Sequence, residues 1–174
     1  MTVRKIITVP DPILRSQARK VMSFTPELQY FISDMIETMH VGHGVGLAAP
    51  QVGIDKQIIV VEYSEENEHA NKISRSPKFF VVINPEISHR SSRMVIGREA
   101  CLSIPGFSGE VHRHQFISIK GLSRYGQPFQ LKASGWLARI FQHEVDHIHG
   151  ILYTDCATLV WRIQDKEDKF LLVI

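Results

Sequence analysis

Cysteine is scarce in this chain. Of 174 residues only Cys101 and Cys156 are cysteines. Two are too few for a disulfide framework, and a reducing cytosol is the simpler setting. Long hydrophobic runs are missing as well, and no stretch is long enough to span a bilayer. The first residues, Met1 to Ile7, lack the long apolar core and small-residue cleavage site of a secretory signal. A cytoplasmic location is therefore the default expectation, with a mature organellar protein as the alternative. Charge of one sign is not in excess: 20 basic and 18 acidic residues leave a net +2. That balance gives no case for a dedicated nucleic-acid or membrane surface. No repeat, low-complexity tract or linker divides the chain. Its length suits a single catalytic domain spanning 1–174.

Histidine, by contrast, is plentiful, with nine in the chain. His40, His69, His89, His112 and His114 lie in polar surroundings and read as surface residues. His143 and His147 differ. They stand in His143-Glu144-Val145-Asp146-His147, where a spacing of four puts both imidazoles on one helix face and lets them share a metal ion. Glu144 follows the first histidine round the helix and can handle a proton on a metal-bound water. The pattern points to metal-assisted hydrolysis.

The pattern of apolar residues predicts an α+β fold. Thr25-Pro26-Glu27 has the form of a helix start. Leu28, Phe31, Ile32, Met35, Ile36 and Met39 continue at helical spacing as a core face, and Gly42 is the expected stop. Gln57 to Glu62 and Phe79 to Asn84 read as strands, with Ser64 to Pro77 as a surface loop. Phe116 to Lys120 and Pro128 to Lys132 flank Arg124-Tyr125-Gly126 as a hairpin. Ser134 then caps a second long helix carrying the histidines, ended by Gly150. Strands followed by a helix, without strict alternation, favour mixed or antiparallel sheets packed around a central metal-binding helix.

Two histidines alone bind a transition metal weakly, and catalytic sites of this kind use three protein ligands with one position open. Metzincin-type proteases place a third histidine after a glycine. Gly150 is present here, but Tyr153 stands where that histidine would be. Gluzincin-type proteases use a later glutamate; Glu167 has the distance but lies in the charge cluster Gln164 to Lys169, which reads as a solvated surface. Cys101, in Glu99-Ala100-Cys101-Leu102-Ser103-Ile104-Pro105 between predicted strands, is the better candidate. A small buried hydrophobe is the other reading of that cysteine, and position alone does not separate the two.

Three segments together resemble peptide deformylase. They are Gly44-Val45-Gly46-Leu47-Ala48-Ala49-Pro50-Gln51, Glu99-Ala100-Cys101-Leu102-Ser103 and Gln142-His143-Glu144-Val145-Asp146-His147. They follow the family's order and spacing. Asp11 to Arg15 and Gly106 to Arg113 are also similar, so the family-like region covers about 1–155 and leaves a divergent tail over 156–174. Gly106-Phe107 and Ser134-Gly135-Trp136 look closer to the mitochondrial and plant-type branch than to the enterobacterial form. The second motif departs at Ala100, where the family usually has glycine and where the backbone carbonyl serves the bound peptide. The tail departs too: Phe170 to Ile174 reads as a strand packing on the body or as an apolar patch facing a partner.

The resemblance implies a hydrolase that removes the formyl group from the N-terminal formylmethionine of newly synthesised proteins. It implies one divalent metal held by Cys101, His143 and His147, iron(II) first, with zinc, nickel or cobalt able to replace it. It gives Glu144 the proton transfers, and gives the Gln51 amide and the Leu102 backbone N–H the developing oxyanion. Gly44, Val45, Gly46 and Ala100 would line an extended peptide. Val45, Trp136, Ile140 and His143 are candidates for the methionine pocket. The expected partners are N-formyl-methionyl nascent peptides, with the ribosome near its exit tunnel as a further candidate. Glu99 and Arg113 are expected to brace the cysteine loop, and Asp146 either orients a histidine or faces solvent. A protease with the same histidine-glutamate-histidine core and a catalytically silent homologue are the competing functions. Retention of Glu144 and Gln51 argues against the silent one.

Overall fold

The computed structural model describes residues 2–64, 77–163 and 174. The element order is a 3-10 turn, α1 (Pro26–Val41), the short strand Gly46–Ala48, a second 3-10 turn, six further strands, α2 (Gly135–Ile148), α3 (Tyr153–Cys156) and a last strand. β1 (Gly46–Ala48), β2 (Ile58–Tyr63), β3 (Lys78–Arg90), β6 (Phe116–Leu122) and β7 (Pro128–Ser134) form one sheet in the order β1-β2-β3-β6-β7. β4 (Met94–Cys101), β5 (Ile104–His114) and β8 (Ala157–Arg162) form a second, in the order β4-β5-β8. Every pairing is antiparallel. β1 and β4 are therefore edge strands of their sheets.

The two-residue period of β2 explains the layering. Ile58, Ile59, Val60 and Val61 are all fully buried, and successive side chains point to opposite faces. Ile58 and Val60 join the cluster with Ile32, Met35 and Met39 of α1 (Pro26–Val41). Ile59 and Val61 join the cluster with Ile140, Phe141 and Val145 of α2 (Gly135–Ile148). The five-stranded sheet is thus covered on both faces, which is why its second strand reads as an unbroken apolar run. α1 starts as its sequence directs: the Thr25 hydroxyl accepts from the Leu28 N–H, Pro26 opens the helix and Gly42 caps its end.

α2 is buried nearly all round, from Ala138 to Val145 and again at His147 and Ile148. A helix buried on almost every side has to satisfy most of its polar side chains inside the protein. α2 packs on strands of both sheets, so residues along it can meet groups delivered by either one.

Three sequence expectations need correction. Cys101 does not lie between strands but is the last residue of β4. β4 and β5, joined by the turn at Leu102 and Ser103, and β8 went unforeseen. β3 runs past Asn84 to Arg90 through an irregularity between Ile83 and Glu86. Asn84 takes φ 51° there, and its side chain both accepts from the Val21 N–H and donates to the Val21 carbonyl. Ser134 does hold the capping position of α2, yet its side chain makes no capping hydrogen bond. The core of the expected loop after Ser64, Glu167 with its charge cluster, and residues 170–173 of the tail lie outside the described residues.

Candidate metal centre

Two chain segments meet α2 at its histidines. One is the 3-10 turn Ala49–Val52 after β1, which carries Gln51; the other is the end of β4, which carries Cys101. The N-terminal segment ties them together, since the Ile7 N–H donates to the Gln51 carbonyl and the Val9 N–H to the Ser103 carbonyl. Cys101 Sγ lies 3.2 Å from His147 Nε2. The ligand atoms of Cys101, His143 and His147 all fall within 4.8 Å of one another, and all three side chains are buried. His143 and His147 stand edge to face with ring centroids 4.9 Å apart.

This trio fits a metal ion. His143 Nε2 is buried with no hydrogen-bond partner, an expensive arrangement unless something else ligates it. Its other nitrogen is engaged, since Nδ1 lies 2.9 Å from Glu99 Oε2. A carboxylate there places the proton on Nδ1 and leaves the Nε2 lone pair facing the cluster. Burial pushes the Cys101 thiol up to about 12, with the nearby Glu144 and Glu99 charges adding to the effect. Coordination to a divalent cation is what releases a proton from such a thiol at neutral pH. Burial, with Arg113 and His143 close by, holds His147 well below the ordinary imidazole range, and neutral imidazole is the ligating form.

Glu144 and Gln51 flank the trio. Glu144 is fully buried, and neither carboxylate oxygen has a hydrogen-bond partner. Burial raises its pKa well above the usual carboxylate value, and the Glu99 and Asp146 charges push the same way. Gln51 is fixed in orientation. Its Oε1 accepts from the Ala48 N–H at 2.7 Å, which turns Nε2 toward Cys101 Sγ at 3.5 Å.

The remaining expected residues fall around this cluster. Leu102 is half-buried and belongs to the α1-side cluster, immediately after the cysteine. Gly44 and Gly46 are buried. A Cβ on Gly46 would lie 2.3 Å from Glu144 Oε1, so the glycine is what admits the carboxylate to this position. Ala100 is 2% exposed. It is not among the non-glycine residues with positive φ, which among the described residues are His43 and Asn84. An alanine in place of the family glycine is thus accommodated without backbone strain. Val45, Trp136 and Ile140 share one apolar cluster on the face of α2. His43 and His149 are exposed and stand outside the centre.

The charged network behind His143 exceeds the expected Glu99–Arg113 pair. Glu99 accepts from Arg113 Nε at 2.9 Å and Nη2 at 3.0 Å, from Arg139 Nη1 at 2.8 Å, and pairs with His143. Burial opposes its ionisation, but the hydrogen bonds from His143 and Arg113, with the Arg113 charge, outweigh that and hold its pKa far below the usual range. Arg113 also bonds Asp146, so Asp146 acts on the arginine and Glu99 is the partner of the histidine. Arg139 went unnoticed in the sequence. It further donates to the Val95 and Val111 carbonyls at 2.9 Å each. A Cβ on Gly97 would come within 2.6 Å of its guanidinium, so that glycine provides its space. Its spacing from His143, four residues earlier on a largely apolar helix face, was the available signal. Tyr153 was missed too: its ring stacks on His143 at 6.1 Å between centroids.

A thiol and two imidazoles around space for one ion, beside a buried carboxylate, make up a metallohydrolase centre. Residues 3–161 match the family model for polypeptide deformylase. The chain is 39% identical over 162 residues to a peptide deformylase of Desulforudis audaxviator, covering 93% of this chain and 98% of the relative. It is 43% identical over 155 residues to one of Halothermothrix orenii, covering 89% and 94%. A class I type b peptide deformylase of Acinetobacter baumannii, solved with Met-Ala-Ser bound, superposes with a TM-score of 0.80 at 34% identity, covering 89% of this chain and 98% of that one. The chain belongs to the polypeptide deformylase family.

Proposed function

We propose that this chain, as a single catalytic domain, removes the formyl group from the N-terminal formylmethionine of newly made proteins and releases formate. The observation that carries the reading is the meeting of Cys101, His143 and His147 with the unpartnered buried carboxylate of Glu144 and with the Gln51 amide, whose Nε2 is aimed at Cys101. Cys101, His143 and His147 would hold one divalent ion, iron(II) first, with zinc, nickel or cobalt able to replace it. When bound, such an ion lowers the pKa of a water and polarises a carbonyl.

The chain's own groups supply the remaining roles. Glu144 takes the proton from the attacking water as its oxygen bonds to the formyl carbon. Gln51 Nε2 and the Leu102 N–H donate to the carbonyl oxygen as charge develops on it. Glu144 then returns the proton to the amine nitrogen as the C–N bond breaks, and formate departs. Gly44, Val45, Gly46 and Ala100 receive the extended peptide, with the Ala100 carbonyl as a backbone acceptor. Val45, Trp136 and Ile140 take the methionine side chain. The substrates are nascent chains in the cytoplasm, met near the ribosomal exit. No helix among the described residues is long and apolar enough to cross a membrane.

The decisive assay compares formyl-Met-Ala-Ser with its unformylated counterpart on anaerobically prepared protein. Formate release from the first and no cleavage of the second is the expected result; peptide-bond cleavage of either would make the chain a protease instead. Gly46→Ala tests the fit at Glu144. Its methyl group needs space that Glu144 Oε1 occupies. A displacement of about 1 Å costs about 10²-fold in rate, so kcat/KM should fall by about that factor. The far-ultraviolet circular dichroism should stay unchanged. Full activity in Gly46→Ala would show that the position of Glu144 is uncritical.

A further inference from the structure

Ile174 has no exposed surface. Its backbone N–H donates to the Ala100 carbonyl at 3.0 Å, on an edge strand whose pairing partner is β5. Its side chain belongs to the cluster that contains Ile140 and Phe141, with Val45 and Trp136 packed against it. The carbonyl and the three pocket residues Val45, Trp136 and Ile140 are the groups assigned above to the substrate. Isoleucine matches methionine in apolar character and in number of side-chain heavy atoms. One residue of this chain thus makes the backbone bond expected of a bound peptide and lies in the apolar cluster that the pocket residues share.

We propose that Ile174 is an intramolecular competitor, seated in the peptide groove and displaced when a formyl-methionyl peptide binds. The inference rests on the reading of that groove under Proposed function. A groove that is open only part of the time weakens apparent affinity in proportion to the open fraction. If Ile174 is seated in about three quarters of the molecules, the apparent KM is raised about fourfold. Ile174 makes no hydrogen bond to Glu144, Gln51 or the ligand trio, so kcat should stay unchanged when it is displaced.

Two measurements test this on the zinc-loaded chain. The first follows amide hydrogen exchange at Ile174 in the wild-type protein, with and without saturating Met-Ala-Ser. With Ile174 seated in about three quarters of the molecules, its amide should exchange about fourfold faster once the tripeptide is bound than in the free protein. Protection that survives saturation overturns the proposal. The second compares Ile174→Asp and Ile174→Gly with wild type on formyl-Met-Ala-Ser, after melting curves show that the variants fold. KM should fall about threefold or more with kcat unchanged; an unchanged or higher KM in a folded variant overturns the proposal. If Met-Ala-Ser frees the Ile174 amide but the enzyme releases no formate, the inference stands and the proposed activity falls. If formate is released while the amide stays protected, the inference alone falls. If the tripeptide does not bind, both the groove and its occupant are wrong.

Discussion

Glu144→Gln is expected to lower kcat for formate release by about 10²–10⁴-fold, the usual contribution of a positioned general acid–base group, while raising the melting temperature of the metal-free protein. Both effects come from one observation. The carboxylate is fully buried with neither oxygen hydrogen-bonded, and burial of an unpaired charge is costly. Glutamine has nearly the same shape and no charge to bury, but it cannot accept a proton from water at neutral pH. Each kcal/mol relieved moves the melting point of a domain this size by about 2–4 °C, so a gain of about 2 °C or more is expected. A group retained at a cost to stability and needed for turnover is the common stability–activity conflict. Steady-state formate release and calorimetry on the same preparation measure the two effects. Activity within tenfold of wild type would remove Glu144 from the mechanism, and a lower melting point would show that the carboxylate has a stabilising partner.

The sequence made the ligand helix legible because its signal is periodic. His143 and His147 are four apart in a segment whose neighbours are apolar, and α2 follows that pattern. The β2 run and the β6–β7 hairpin were legible for similar reasons. β4 was not, and the reason is chemical. By residue type both Arg98 and Glu99 belong in solvent, yet Glu99 is fully buried because Arg113 of β5 and Arg139 and His143 of α2 converge on it. Local rules fail where function demands an exception. β5 was hidden by Pro105, Gly106 and Gly109, which read as turn residues. Gly109 is needed instead for close approach, since a Cβ there would lie 2.9 Å from the Leu159 carbonyl oxygen of β8. The contacts that make the site depend on which strand lies beside which, and sequence spacing does not carry that information. Cys101 was a candidate ligand by elimination and was assigned, with Gln51, through motif resemblance; the Gln51–Ala48 bond that aims the amide shows only in the fold.

Glu99→Gln is the substitution expected to damage fold and site together. Glu99 is fully buried, and Arg113, Arg139 and His143 all direct donors at it. Glutamine keeps the volume but removes the negative charge, so two guanidinium groups, 6% and 4% exposed as residues, lose their main counter-ion. Removing one member of a buried ion pair costs about 3–5 kcal/mol. With about 2–4 °C per kcal/mol for a domain of this size, the melting point should drop by about 6–20 °C. The second effect reaches the metal through His143. Glu99 holds the proton on Nδ1, which keeps Nε2 a free donor and fixes the ring plane. Loss of such a partner typically lowers metal affinity about 10–100-fold. Competition with a metal-binding dye reads that effect apart from activity. Arg139→Met separates the two roles, because it removes one cation yet leaves the Glu99–His143 bond and the bidentate Arg113 contact. It should lower the melting point with a much smaller change in metal affinity. Equal loss of metal affinity in both variants would mean that the network supports the site by general stability and not through the histidine.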